Sequence, residues 1–354
     1  MKNLKLDAQQ VQDELTELTQ NLRKSQLTLN SLPDIDVAST PSHCIYKRDK
    51  LSLLYFESTQ PKEDRASHPI FICYALVNRW YMIDLDPERS LLRSLLARGL
   101  DVYVLDWGYP DKADRFLDLD DYINDYLDDC IDQALAHSGS TELDLMGICQ
   151  GGTFSLCYTA LHPQKVRKLI TAVTPVNFQT PDNMLQKLSQ HTDIDLAVKT
   201  YGNIPGSFLN HVYSSLMPMR LGIQKNLNLP KHLTTTESAL SYLRMEKWLY
   251  DCPDQAGEAF KEFITLFFRE NRFVNGGLTI GGTDVNLSEI RHPILNIYGQ
   301  HDHLVPADSS LALKAVCPHS QYSELLVKAG HIGVFVSRKA HKLVPDTIVK
   351  WLAE

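Results

Sequence analysis

The stretch "LDLMGICQGGTF", residues 143–154, limits most tightly how this chain can fold. An apolar run of strand type ends on Gly147, a cysteine follows at 149, and Gly151 and Gly152 lead into a helical pattern over 152–162. G-x-nucleophile-x-G between a strand and a helix is the pattern of a nucleophile elbow, a turn so cramped that the positions two before and two after must be nearly free of side chain. The helix start directs free backbone N–H groups at the turn, so Gln150 N–H is a candidate oxyanion donor, and the positive helix end lowers a thiol pKa. Cysteine is also common in protein cores, so Cys149 alone reads equally as a buried small hydrophobe.

The rest of the chain supplies a fold for such a turn. Short apolar or β-branched runs at 51–56, 70–76, 101–107, 143–147, 168–173, 294–299 and 322–327 alternate with helical patterns at 88–98, 120–137, 152–162, 307–316 and 337–352. Several runs are apolar on both faces, as central strands under helices must be, which predicts an α/β fold with a mainly parallel sheet. The alternation stops between about 177 and 285. There "MLQKLSQHTDIDLAVKTYG", "NHVYSSLMPMRLGIQ" and "ESALSYLRMEKWLYDCPDQAGEAFKEFITLFFREN" read as successive helices, followed by "NGGLTIGGTDV", which reads as a tight hairpin. The expected division is an N-terminal helical arm and connector over 1–45, a core over 46–176 and 286–354, and a helical cap inserted over 177–285. In the arm, Val11, Leu15, Leu18 and Leu22 recur at steps of four and three, the narrow stripe of an amphipathic helix. That stripe is expected to dock on the chain's own body, with a partner helix as the alternative.

Composition removes whole classes of function. The 35 basic and 43 acidic residues give a net charge of −8 without a long basic run, which argues against a nucleic-acid partner. The N-terminal segment carries charges every few residues, so neither a signal peptide nor a transmembrane segment is expected, and the expected location is the cytoplasm. Seven cysteines without C-x-x-C spacing suit reduced thiols, and no H-E-x-x-H, G-x-x-x-x-G-K-[ST] or G-x-G-x-x-G is present, so no metal and no cofactor is expected.

An elbow nucleophile needs an acid and a base. In an α/β-hydrolase these follow the nucleophile in chain order, on loops after late strands. After "ILNIYG" comes "QHDHLVP", which supplies Asp302; after "YSELLV" comes "KAGHIGVF", which supplies His331. His301, His303, Asp308 and His319 compete for these roles. His331 is preferred because Gly330 and Gly333 give its backbone freedom to turn, and His303 is the reserve base. A second oxyanion donor is expected from "YALVNRW" (74–80), with Val77 and Asn78 as substrate-side candidates; Asn78 and Arg79 alternatively brace that loop. A thiol nucleophile also says something about the substrate. It forms a thioester, so exchange with a thioester substrate is nearly neutral in free energy, and the acyl group stays activated for attack by an alcohol if a cap excludes water.

At this point the sequence resembles the catalytic subunit of a class III polyhydroxyalkanoate (poly-3-hydroxybutyrate) synthase, a polyester polymerase of the α/β-hydrolase superfamily. The resemblance runs from about residue 45 through "YALVNRWYMIDL", "DVYVLDWGYPDKADRFLDLDDYI", "GICQGG", "TPVNFQTPDN", "NIPG", "RMEKWLYDCPDQAG", "NGGLTIGG", "DHLVP" and "KAGHIG". Trp80 and Ala329 depart from the Pro and Gly expected there. The resemblance implies polymerisation of (R)-3-hydroxyacyl-CoA, mainly hydroxybutyryl, with release of CoA. It implies that Cys149 holds the growing chain, that His331 activates it, and that Asp302 assists His331 and the 3-hydroxyl of the incoming unit. It further implies a homodimer or larger hetero-oligomer, a cap that opens and closes the way to Cys149, a second non-catalytic subunit, and attachment to polyester granules. Residues 6–30 are then a candidate contact for the second subunit, and Arg79, Lys112 and Arg115 are candidate cations for the CoA phosphates. The alternatives are a cysteine-dependent ester or lactone hydrolase of the same fold, and a non-catalytic granule-binding protein.

Overall fold

A computed structural model describes residues 7–217 and 225–354. Eight strands form one sheet: β1 (His43–Arg48), β2 (Leu51–Phe56), β3 (Ile70–Cys73), β4 (Val102–Asp106), β5 (Leu143–Ile148), β6 (Val166–Ala172), then, beyond a two-stranded hairpin of β7 (Thr279–Ile280) and β8 (Thr283–Asp284), β9 (Ile294–Gly299) and β10 (Tyr322–Val327). Their order is β1-β2-β4-β3-β5-β6-β9-β10, with β1 and β2 antiparallel and every pair from β4 to β10 parallel. Every residue of β3, β5 and β9 is buried, so these strands have no polar face, as a sheet covered on both sides requires.

The covering helices are α2 (Leu91–Leu96), α3 (Asp128–Ser138), α4 (Gln150–Leu161), α12 (Ala307–Leu311), α13 (Leu313–Val316), α14 (Gly333–Val336) and α15 (Ala340–Ala353), while α1 (Ala8–Asn30) stands ahead of the sheet. One side of the sheet packs Phe71, Tyr103, Leu145, Phe154 and Tyr158 into a first apolar cluster, which runs on into Phe263 and Phe267. The other side packs Ile72, Val104, Met146, Ile297 and Trp351 into a second. Each fully buried side chain of this size stabilises the fold by about 1.5–3 kcal/mol relative to exposure, so the sheet is the rigid frame of the molecule.

Between β6 and β9 the chain makes α5 (Met184–His191), α6 (Ile194–Tyr201), α7 (Gly206–Ser215), α8 (Lys225–His232), α9 (Thr236–Tyr250), α10 (Gly257–Phe263) and α11 (Arg272–Asn275). Side-chain caps start several of them: Asn183 accepts from Gln186 N–H, Asp193 from Leu196 N–H, and Thr235 from Ser238 N–H. The Gly-rich stretch forms the β7–β8 hairpin, Ile280 pairing with Thr283 across a two-residue turn. The end of the run "NHVYSSLMPMRLGIQ", residues 218–224, and residues 1–6 of the arm lie outside the described residues.

Three expectations change. The arm and connector are expected to end at 45, yet His43–Arg48 form edge strand β1, so that boundary falls inside a strand; its burial is irregular because only one neighbour covers it. The helix expected over 307–316 is split into α12 and α13. The stripe of α1 does not dock on the body: Val11, Leu15, Leu18 and Leu22 stay 39%, 58%, 43% and 52% exposed. A different face makes the contact. Ser25 and Thr28 are buried, and Ser25 Oγ donates to Pro230 O over 2.9 Å, so short polar side chains allow close approach where the leucines do not.

Candidate active site

β5 delivers Cys149 to the edge of the sheet, and α4 begins at the next residue. Cys149 has φ 54° and ψ −122°, a conformation that a side-chain-bearing residue adopts only when its surroundings force it. The surroundings are visible at the glycines. A Cβ on Gly151 would sit 2.2 Å from Cys73 O, and one on Gly152 would sit 1.8 Å from Thr174 Oγ1. Helix and strand therefore approach closely enough to hold the turn only because both positions lack side chains. Cys149 N–H donates to Ala172 O over 2.9 Å, which ties the turn to β6 as well.

Cys149 differs from the other thiols. Cys73, Cys130, Cys157 and Cys317 are buried, and burial pushes the thiols of Cys73 and Cys317 up to about 12 and raises those of Cys130 and Cys157 too. Cys149 is half-buried and has an imidazole beside it.

That imidazole is His331. Its Nδ1 lies 2.7 Å from Asp302 Oδ2, and the ring lies beside Cys149. With Nδ1–H directed at the carboxylate, Nε2 is the nitrogen left for the sulfur. Asp302 is held rigidly, since its Oδ1 accepts N–H groups of Leu304 and Val305, both at 2.9 Å. Burial alone would push the imidazole pKa down, but the Asp302 carboxylate bonded to it and the adjacent Cys149 sulfur hold it well above its ordinary value. Asp302 stands on the loop after β9 and His331 on the loop after β10. Of the competitors, His301, Asp308 and His319 are exposed and His303 is half-buried.

The 74–81 loop is tied to both the elbow and the insertion. Leu76 N–H donates to Gln150 Oε1 over 3.1 Å. Asn78, at φ 60°, turns its side-chain amide to Trp248 O and Leu249 O at 3.2 and 3.3 Å. Asn78 thus braces the loop. Arg79 is turned inward rather than outward: it donates to Asp106 Oδ2 over 2.7 Å and Gly108 O over 2.9 Å and lies over the Tyr109 ring. Among the described residues Val77 N–H has no acceptor. Lys112 and Arg115 are exposed, on a short turn over Lys112–Phe116.

Several neighbours carried no signal in the sequence. Tyr74 and Tyr213 lie close enough to Cys149 for its charge to act on their phenols, whose pKa burial already raises. Asp251 accepts the hydroxyls of Tyr81 and Tyr109, each at 2.7 Å. Gln255, 3% exposed, donates to Leu76 O over 2.9 Å. Tyr213, Asp251 and Gln255 come from the insertion, whose local pattern shows helices and nothing of what they face.

A strand-to-helix elbow bearing a thiol, with Asp302 and His331 on later loops, makes the chain an enzyme of the α/β-hydrolase fold. A family model described as alpha/beta hydrolase fold matches residues 68–337, and one described as poly-beta-hydroxybutyrate polymerase (PhaC) N-terminus matches residues 1–95. The chain belongs to the poly(3-hydroxyalkanoate) polymerase PhaC family. It is 48% identical to the poly(3-hydroxyalkanoate) polymerase subunit PhaC of Allochromatium vinosum, covering 96% of each chain, and 45% identical to that of Thiocystis violacea, covering 100% of this chain and 99% of the relative. Among solved structures, a thermophilic esterase from Thermogutta terrifontis matches at 16% identity and a TM-score of 0.52, covering 88% of this chain and 98% of the esterase. A meta-cleavage product hydrolase from Pseudomonas fluorescens matches at 13% identity and a TM-score of 0.50, covering 90% and 99%. These two likenesses concern the fold alone.

Proposed function

We propose that this enzyme polymerises (R)-3-hydroxyacyl units from their CoA thioesters, mainly 3-hydroxybutyryl-CoA, into a polyhydroxyalkanoate, with the chain held as a thioester on Cys149. The observation that carries this reading is the Asp302–His331–Cys149 relay at the end of β5. His331 Nε2 takes the thiol proton as Sγ attacks the thioester carbonyl. The oxyanion is met by Gln150 N–H at the start of α4 and by Val77 N–H. The C–S bond to CoA then breaks, and CoA leaves as its thiol with the proton from His331. In the next step His331, assisted by Asp302, takes the proton of a 3-hydroxyl, whose oxygen attacks the acyl thioester. An oxygen ester forms downhill from the thioester, the C–Sγ bond breaks, His331 returns the proton to Sγ, and the lengthened chain, now a thioester of the incoming CoA, reloads Cys149 with loss of that CoA.

Water competes with that hydroxyl, so the insertion over 177–285 acts as a cap that excludes it. Lys112 and Arg115 are exposed cations suited to the CoA phosphates, whereas Arg79 serves the loop. The exposed α1 stripe suits a second, non-catalytic subunit, and we assign granule attachment and dimer formation to this same protein. Among the described residues no helix is long and apolar enough to cross a membrane. The test supplies purified protein and its second subunit with (R)-3-hydroxybutyryl-CoA and follows free CoA and turbidity. CoA release with rising turbidity is expected. CoA release with only free hydroxyacid would make the chain a hydrolase, and no release at all would leave a binding protein.

A further inference from the structure

We infer that Gln255 is a positioning residue for the second oxyanion donor: from the insertion, it holds and polarises the peptide unit that presents Val77 N–H. The inference rests on the reading of Val77 as that donor.

A peptide unit is planar and trans, so Leu76 C=O and Val77 N–H point in opposite directions. Whatever fixes the carbonyl also aims the N–H. Gln255 Nε2 donates to Leu76 O at 2.9 Å and to Pro253 O at 3.3 Å. With two carbonyls facing it, the amide end at this place must be the nitrogen. The preceding N–H, that of Leu76, is committed to Gln150 Oε1. Val77 N–H, the next along the chain, is left without an acceptor among the described residues.

The glutamine is itself pinned. Its backbone exchanges two hydrogen bonds with Ile204, each at 2.9 Å, and its side chain is almost fully buried. A donor bonded to an amide carbonyl polarises the amide and strengthens its N–H, an effect that grows where water is absent. Gln255 therefore acts on the transition state through the peptide unit, without touching substrate. This also explains why "NIPG" and "CPDQAG", far apart in the chain, meet: together they set one glutamine against one carbonyl.

The experiment separates attack at a carbonyl from attack at a saturated carbon. Gln255→Met keeps the volume and removes the donor. Single-turnover CoA release from (R)-3-hydroxybutyryl-CoA builds an oxyanion, whereas alkylation of Cys149 by iodoacetamide displaces iodide and builds none. Loss of a direct oxyanion donor costs about 100- to 1,000-fold, so loss of its support is expected to slow CoA release by about 10- to 100-fold. The alkylation rate is expected to stay unchanged. Unchanged CoA release overturns the inference, and so does an equal fall in both rates, which would mean a general disturbance of the site. If Gln255→Met fails to fold, Gln255→Glu takes its place: the ionised side chain cannot donate and the protonated one can, so the variant-to-parent ratio of CoA release rises on acidification. A ratio independent of pH counts against the inference. Replacing the Val77 amide by an ester tests the underlying reading. Unchanged CoA release there removes Val77 as donor, while slow release there with normal release in Gln255→Met removes only Gln255.

Discussion

The sheet and the insertion hold the site by different means. Cys149, Asp302 and His331 leave β5, β9 and β10, of which β5 and β9 are buried throughout, and the ring bonds the carboxylate and lies beside the sulfur. The 74–81 loop leaves the same sheet but is fastened both from the core, through Asp106, Trp107 and Gln150, and from the insertion, through Trp248, Asp251 and Gln255. The difference teaches that Cys149, Asp302 and His331 are placed by the core, while the 74–81 loop, where we propose the second oxyanion donor, is held in part by the insertion. Activity can then change with the insertion while the relay stays intact.

The largest effect is expected on the core side. Cys149→Ala is expected to lower turnover on (R)-3-hydroxybutyryl-CoA by on the order of 10⁴-fold or more, leaving circular dichroism unchanged because the replacement is smaller and apolar. Polymer made by that variant would break the comparison at its root. His331→Gln is expected to cost about 10²–10⁴-fold in the same assay, with His303→Gln near the parent. The reverse order would hand the base to His303.

A stability measurement sharpens the claim that the core imposes the elbow. Gly151→Ala is expected to lower unfolding free energy by about 1–3 kcal/mol in urea, since its Cβ would meet Cys73 O at 2.2 Å. A variant as stable as the parent would show that the elbow is not held by close packing.

The pH dependence of folding is smaller. The imidazole of His331 has a raised pKa in the folded chain. Its stabilising contribution is thus fully present below the ordinary histidine value and is lost as pH rises through the folded one. The thermal midpoint should therefore fall more steeply above neutral pH in the parent than in His331→Gln. Parallel curves would mean that the folded and unfolded values coincide. The smallest effect belongs to α1. Leu15→Ala and Leu18→Ala should change stability by less than about 0.5 kcal/mol, because both side chains are largely exposed. The same pair of changes should abolish co-purification with the second subunit; retained co-purification would move that contact elsewhere.

Much of the frame was legible in the sequence. β2, β9 and β10 fall on the runs 51–56, 294–299 and 322–327, because an apolar run between turn residues has few other solutions. β1 was not legible, since "HCIYKR" on an edge carries no regular apolar pattern. Cys149, Asp302 and His331 could be picked out because each follows a strand at a break in pattern. Gln255, Asp251 and Tyr213 could not, because what they face is decided by contacts distant in sequence, as between Gln255 and Leu76. The helix of α1 was legible from its stripe, but its docking face was not. Burial there depends on how close the backbones come, which Ser25 and Thr28 permit and the leucines do not.

If Cys149 carries the acyl chain as a thioester, the acylated enzyme can be trapped. Rapid acid quenching of the enzyme during turnover on (R)-3-hydroxybutyryl-CoA, followed by peptide mass mapping, tests it most directly. Hydroxybutyryl units, alone and in series, are expected on the peptide containing Cys149, released by hydroxylamine and missing in Cys149→Ala. Acyl chains on another residue, or polymer formation with no covalent adduct at any time point, would contradict it.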